Sequence, residues 1–205
     1  MRAFYEDVWA ELPDDPEPWA WKRRRALLLG EAKAGERVLD LGCGAGRFLA
    51  ALRDAGADPV GVELAEGALE RARRNVPGAE LHLLGPGGEI PLEDATVDLV
   101  WCSEVLEHVP DTAALVSEAR RVLRTGGRLL ITTPSHDLPR RGLIGLARFD
   151  EHFDPLGQHV RFYSRRSLAR VLDAFAFEDV HITGIGGPPL LRETLVARAR
   201  KARLV

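Results

Sequence analysis

At 205 residues, 45% hydrophobic and 29% charged, the chain has the length and composition of one globular domain. A net charge of −3 argues against a molecule built as a whole to hold a polyanion, and the basic run Lys22 to Arg25 reads as a solvated helix face. The N-terminal stretch through the acidic, proline-rich residues 13–18 has no apolar core of signal-peptide length, and no run approaches a bilayer span. Two cysteines, Cys43 and Cys102, are too few for a secreted disulfide scaffold. The expectation is a cytoplasmic protein with two free thiols and no transmembrane segment.

Short β-branched or leucine-rich runs alternate with helical stretches, the pattern of a parallel sheet flanked by helices. Trp19 to Lys33 reads as a leading helix, followed by a strand at Arg37 to Leu41 and a helix from Gly46 to Ala55. Pro59 to Glu63 is the second strand, Glu66 to Asn75 its helix, and Glu80 to Leu84 the third strand. Val97 to Cys102 is the fourth strand and Asp111 to Leu123 a long helix, which Thr125-Gly126-Gly127 stops with a turn before a fifth strand at Arg128 to Thr133. Pro134 to Tyr163 shows little periodicity and reads as a long irregular connection, the kind that is usually functional. Ser164 caps a helix reaching Phe175. Val180 to Ile185 and Thr194 to Ala199 close the chain as strands joined by a Gly-Pro turn. The sum is an α/β, Rossmann-like, doubly wound seven-stranded sheet with an antiparallel strand at its edge.

The most informative stretch is Val38-Leu39-Asp40-Leu41-Gly42-Cys43-Gly44-Ala45-Gly46: an apolar strand ends in a glycine-rich turn and a helix follows. Such a turn lets a ligand approach the backbone at the carboxyl edge of a sheet. The dinucleotide fingerprint requires a third small residue in its frame, but Arg47 stands there when counting from Gly42 and Leu49 when counting from Gly44. Asp40 would repel a pyrophosphate and attract a cation. S-adenosylmethionine, with an ammonium, a sulfonium and no phosphate, suits that charge better than NAD. Glu63 closes the second strand 21 residues after Gly42, where a carboxylate accepts hydrogen bonds from ribose hydroxyls of either ligand.

These motifs resemble those of the class I S-adenosylmethionine-dependent methyltransferases. VLDLGCGAGRFL is similar to the family's first motif and VGVELAEGALERAR to its second. IPLEDATVDLVWCSEVLEHVPD and RVLRTGGRLLITTP resemble the segments around its third to fifth strands. Within the class, LEHV, HVRFYSRRSL and VHITGI look closest to the ubiquinone-biosynthesis O-methyltransferases of the type 11 group. The resemblance implies that Asp40, Gly42 and Gly44 line the methionine end of the cofactor. It places Glu63 at the ribose, Leu64 on the adenine and Ser103 at the cofactor face after the fourth strand. S-adenosylhomocysteine would be the product. It also implies a single domain over residues 1–205, with 1–33 as an N-terminal helical lid and 134–163 as a substrate-covering segment. One departure stands out: where many relatives carry an acid for the adenine amino group, this chain has Gly85-Pro86-Gly87-Gly88.

An oxygen acceptor must lose a proton, and histidine is the usual agent. His108, just past the fourth strand, and His159, in the covering segment, are the catalytic candidates, with packing as the alternative for His108. His136 and His152 read as exposed loop residues, and Cys43 and Cys102 as packing residues. Trp9, Trp19 and Trp21 either lid an apolar acceptor or bury a leading helix, the second being favoured. Glu104, Glu107 and His108, if on one helix, would share a face and converge on a divalent ion such as Mg or Mn, with His159 as fourth ligand. The family resemblance carries that idea through a similar E-x-x-E-H motif, against the reading of helix-start acids. The expected acceptor is the hydroxyl of a small molecule. The alternatives are a non-catalytic cofactor-binding scaffold and, at a greater distance, an NAD-dependent oxidoreductase. A nucleic-acid base methyltransferase is disfavoured, since Cys102-Ser103-Glu104 replaces the proline-rich motif such enzymes carry.

Overall fold

The computed structural model describes residues 2–147, 149–154 and 157–203. Its strands are β1 (Arg37–Leu41), β2 (Asp58–Glu63), β3 (Glu80–Leu83), β4 (Val97–Ser103), β5 (Leu123–Pro134), β6 (Phe177–Ile185) and β7 (Thr194–Lys201). They form one sheet in the order β3-β2-β1-β4-β5-β7-β6. β1 to β5 are parallel, and β7 runs antiparallel to both β5 and β6. The expected doubly wound sheet with a reversed strand near one edge is therefore present.

The strands are buried on both faces, so successive residues enter opposite cores. Leu39, Val100, Cys102 and Ile131 join one core with Leu115, Val116, Leu168 and Leu172 of α5 (Thr112–Val122) and α8 (Arg165–Ala174). Their neighbours Val38, Leu99, Trp101 and Leu130 join the other, with Leu28, Phe48 and Leu52 of α2 (Trp21–Glu31) and α3 (Arg47–Asp54). α4 (Glu66–Asn75) follows β2, and its Ala72 and Val76 leave room for no side chain at Gly46, whose Cβ would meet them at 3.3 and 3.0 Å. Because β1 has β2 on one side and β4 on the other, chain crossovers diverge there and open a crevice beyond their carboxyl ends.

Four expectations need correction. The leading helix begins at Trp21, because Ala20 is left-handed (φ 52°), and it ends at Glu31. A separate helix, α1 (Arg2–Glu11), precedes it; its Tyr5, Val8 and Trp9 stand at helical spacing, a signal obscured by reading the tryptophans as one cluster. Residues 125–127 do not end β5's predecessor as a free turn. The strand runs through them as an irregularity in which pairing jumps from Val97–Leu123 to Leu99–Arg128, with Gly126 at φ 76°. The segment taken as irregular contains α6 (Leu138–Ala147) and the short α7 (Phe149–His152), whose periodicity is hidden by an outward apolar face. Among the described residues, no helix is long and apolar enough to cross a membrane.

Candidate active site

A cavity of about 410 Å³ opens at the crevice. Leu41, Gly42, Glu63 and Leu64 form its floor, residues 84–88 one wall, and Tyr5, Val8 and Trp9 of α1, with Leu12 just beyond it, its cover. Glu104, Val105, His108 and Gln158 close the remaining side.

The glycines are there for space. A Cβ at Gly42 would stand 2.5 Å from Val105 Cγ2, and one at Gly44 would meet the Trp9 ring at 2.8 Å; both glycines also have positive φ. Arg47, the residue that broke the dinucleotide frame, turns outward and holds Asp15 through its Nε at 2.6 Å and Nη2 at 2.7 Å, fixing the proline-rich loop. Glu63 ends β2 facing the cavity. Its Oε1 accepts from Leu64 N (2.6 Å) and Ala65 N (3.1 Å), and its Oε2 from Gly44 N (3.1 Å), so three backbone donors fix the carboxylate against the glycine loop. Burial raises the Glu63 pKa and these bonds oppose it.

Asp40 is 1% exposed, and its Oδ2 has no hydrogen-bond partner among the described residues. Burial pushes its pKa up to about 8, which the positive charge of Arg24 partly offsets. An orphaned buried carboxylate behind a glycine loop fits a cationic ligand group. Sequence reasoning missed Arg24. It is 5% exposed, donates from Nε to Ser103 Oγ (2.8 Å) and from Nη2 to Ser103 O (3.0 Å), and sits over the Phe48 ring at 5.3 Å. The signal was available: Arg24 lies four residues before the wholly buried Leu28, hence on the same helix face. Ser103 points to Arg24 and to Thr132 Oγ1 (2.7 Å), and does not line the cavity.

On the remaining side of the cavity, His108 closes a single 3-10 turn, Leu106–His108. The proposed shared helix face of Glu104, Glu107 and His108 does not exist. Glu104 precedes the turn with φ 55° and accepts from Thr132 Oγ1 at 2.8 Å instead. His108 Nδ1 lies 3.0 Å from Gln158 O, a carbonyl that can only accept, so Nδ1 carries the hydrogen and Nε2 is left with its lone pair. Burial lowers the His108 pKa, which keeps the ring neutral. Glu107 is 1% exposed; Oε2 accepts from Thr133 Oγ1 (2.9 Å), while Oε1 has no hydrogen-bond partner among the described residues and lies 3.9 Å from His108 Nε2. Burial and the nearby Glu104 raise the Glu107 pKa. His159 stacks edge-on behind His108, centroids 4.9 Å apart, and does not itself line the cavity. Backbone bonds from Val160 N (2.8 Å) and Arg161 N (3.0 Å) to Glu107 O hold it there.

Tyr5 was also missed. Its ring meets His108 edge-on at 6.0 Å, and burial, with Glu107 and Glu63, pushes its pKa up to about 12, so it remains a neutral phenol. The tryptophans divide: Trp9 covers the glycine loop, Trp21 packs on Phe48 at 4.9 Å, and Trp19 is exposed. His136 is not an exposed loop residue. It is 5% exposed, with Nε2 2.7 Å from Nε2 of the partly buried His152. Cys43 and Cys102 are buried free thiols.

Comparison with known proteins agrees with this crevice. The methyltransferase-domain family matches over residues 16–182. Ubiquinone biosynthesis O-methyltransferase of Idiomarina loihiensis is 35% identical over 171 residues, covering 76% of this chain and 67% of that protein. Malonyl-[acyl-carrier protein] O-methyltransferase of Serratia marcescens is 38% identical over 109 residues, 53% of this chain and 42% of that one. In fold, the chain resembles the 1,6-didemethyltoxoflavin-N1-methyltransferase of Burkholderia thailandensis, solved with S-adenosylhomocysteine and its substrate (TM-score 0.69, 23% identity, 98% of this chain and 84% of that one). The glycine loop, the acid that closes β2, the sheet order and these likenesses lead to one conclusion: the chain belongs to the S-adenosylmethionine-dependent methyltransferases.

Proposed function

We propose that the enzyme methylates a hydroxyl oxygen of a small, largely apolar molecule, with His108 as the proton acceptor. The observation that carries this reading is the His108 ring, neutral, oriented by Gln158 and presenting its Nε2 lone pair beside the cofactor crevice. The O-methyltransferase names of the two relatives support oxygen as the target. Bound S-adenosylmethionine supplies a methyl group on a sulfonium, which leaves by in-line displacement. Asp40 would pair with its ammonium, Glu63 with the ribose hydroxyls, and Leu64 with the adenine. The backbone of residues 84–88 would flank the adenine edge in place of the missing acid. His108 Nε2 would accept the hydroxyl proton released as the oxygen takes the methyl group, and the Gln158 carbonyl would steady the imidazolium through Nδ1. His159, behind His108, would hold its position.

We read α1 as a lid within residues 1–33 and 134–163 as the cover over the acceptor. Glu6 supports the first: its carboxylate accepts from Glu66 N (2.6 Å) and Gly67 N (3.0 Å), pinning α1 to the start of α4, whose own N-cap Ala65 offers no side-chain oxygen. The two buried thiols suit a reducing cytoplasm. Isotope-labelled methyl transfer into a panel of phenols, hydroxy acids and amines tests the reading: label on oxygen is expected, and label on nitrogen or carbon overturns it.

A second reading rests on one cluster. Ligand atoms of Glu107, His108 and His159 lie within 4.8 Å of one another, and the orphaned Glu107 Oε1 is among the acceptors present. This donor set fits a hard divalent ion, which those three residues would hold and which would lower the pKa of an acceptor hydroxyl. Glu104 is bonded elsewhere. Full turnover in chelator excludes that reading and leaves His108 as base. Loss of turnover in chelator, restored by Mg or Mn, favours it.

A further inference from the structure

One side of α2 carries Arg23, Ala26, Leu27 and Gly30, three and four residues apart and so in line along the helix. That side faces the connection between β6 and β7, and the two enclose a cleft of about 530 Å³. Small residues make the room. Gly30 is a poor residue for a helix, and nothing lies within 4 Å of where its Cβ would be, so no packing contact calls for it. Across the cleft, a Cβ at Gly184 would stand 2.6 Å from Arg192 Cγ, so this glycine lets Arg192 lie along the hairpin. Ala26, Leu27 and Ile185 give the cleft apolar walls. Its charge is one-sided: Arg23, Arg192 and Arg198 line it against a single carboxylate, Glu31. Arg198 Nε donates to Glu31 Oε1 at 2.7 Å, which leaves two guanidinium charges uncompensated. Arg192 Nη1 donates to Gly187 O (2.9 Å), and neither Arg192 nor Arg23 is in an ion pair among the described residues. Glu193 holds its carboxylate beside Gly186 and is not among the residues that line the cleft.

We propose that this cleft is a second ligand site, for a small-molecule phosphate monoester with an apolar body. A phosphate monoester is largely dianionic above about pH 6, which matches two free guanidinium forks. A monocarboxylate would leave one of those charges unanswered. The volume lies in the usual range of small-molecule pockets. The apolar walls reward a ligand that carries a body to bury, which inorganic phosphate lacks. No residue lines both this cleft and the cofactor cavity, so the ester binds alongside the cofactor and does not compete with it.

Titration calorimetry of the full chain with phenyl phosphate at pH 7.5, with benzoate and inorganic phosphate as comparison probes, tests this. One-to-one binding of phenyl phosphate that weakens as salt rises is expected, with the same Kd in saturating S-adenosylhomocysteine. Benzoate and inorganic phosphate should each bind at least tenfold more weakly. Arg23→Gln with Arg192→Gln should raise the phenyl phosphate Kd at least tenfold. Gly30→Leu, which fills the cleft from an exposed helix position, should do the same without lowering the thermal midpoint. The proposal fails if phenyl phosphate gives no heat, or if both variants bind it as the wild type does. It also fails if inorganic phosphate or benzoate binds as tightly, or if S-adenosylhomocysteine abolishes binding, for then the ester enters the cofactor cavity.

Discussion

The stretch from Arg37 to Asn75 and the more distant residues Tyr5, Val8, Trp9 and Gln158 reach the same cavity by different routes. In the first, Asp40, Gly42, Gly44, Glu63 and Leu64 belong to one continuous strand-loop-helix-strand unit, and backbone donors fix Glu63 within it. In the second, Tyr5, Trp9 and Gln158 come from distant parts of the chain and are placed by tertiary contacts, such as Gln158 O on His108 Nδ1. On the proposed reading, the cofactor's contacts lie where local sequence dictates geometry, and acceptor choice is left to parts that tertiary packing alone assembles.

Substitutions can break that division, and His108 should give the largest effect. His108→Ala is expected to lower kcat by about 10²–10⁴, the usual worth of a positioned base, while cofactor affinity by calorimetry stays unchanged. Because burial lowers the His108 pKa, wild-type activity should persist to more acidic pH than an ordinary imidazole allows. Next comes Arg24→Met. It removes the buried donors that satisfy Ser103 Oγ and Ser103 O and should cost about 1–3 kcal/mol of stability, measured by denaturant unfolding. Glu63→Gln follows, keeping the shape but losing charge-assisted ribose bonds worth roughly 1.5–3 kcal/mol each; the cofactor Kd should rise while the fold persists.

The smallest effect is a pH slope. Asp40 has a raised pKa in the folded chain, so above the ordinary carboxylate range the folded state holds a proton that the unfolded state has released. Its contribution to stability is present at low pH and is lost as pH rises toward about 8. Asp40→Asn should flatten the fall in thermal midpoint over that window. Saturating S-adenosylmethionine should flatten it too, because a bound cation favours the ionised carboxylate.

The same division explains what could be read from the chain. Alternation and glycine placement located β1 to β5 and α3 to α5 to within a residue or two, apart from β5, which runs through its expected glycine turn, because burial on both faces makes each strand's pattern local. α1 and α6 were obscured for a common reason: neither buries a full stripe, so their apolar residues mark the cavity or the outer surface rather than a core. Arg24 was taken for part of a solvated face because it stands in a basic run, although Leu28, one turn on, shares its side of the helix. His136 was misplaced because its burial depends on His152, Phe162 and Tyr163, all supplied by later chain. Glu107 and His159 meet His108 without the helix that was invoked to bring them together.

The central claim is that the crevice is shaped and charged for a cationic adenosine without phosphate. Titration calorimetry of the full chain with S-adenosylmethionine and, separately, with NAD tests it most directly. One-to-one binding of S-adenosylmethionine, weakened in Asp40→Asn, with no detectable heat from NAD, is the predicted result. NAD binding as tight as S-adenosylmethionine, or S-adenosylmethionine affinity indifferent to Asp40, would contradict it.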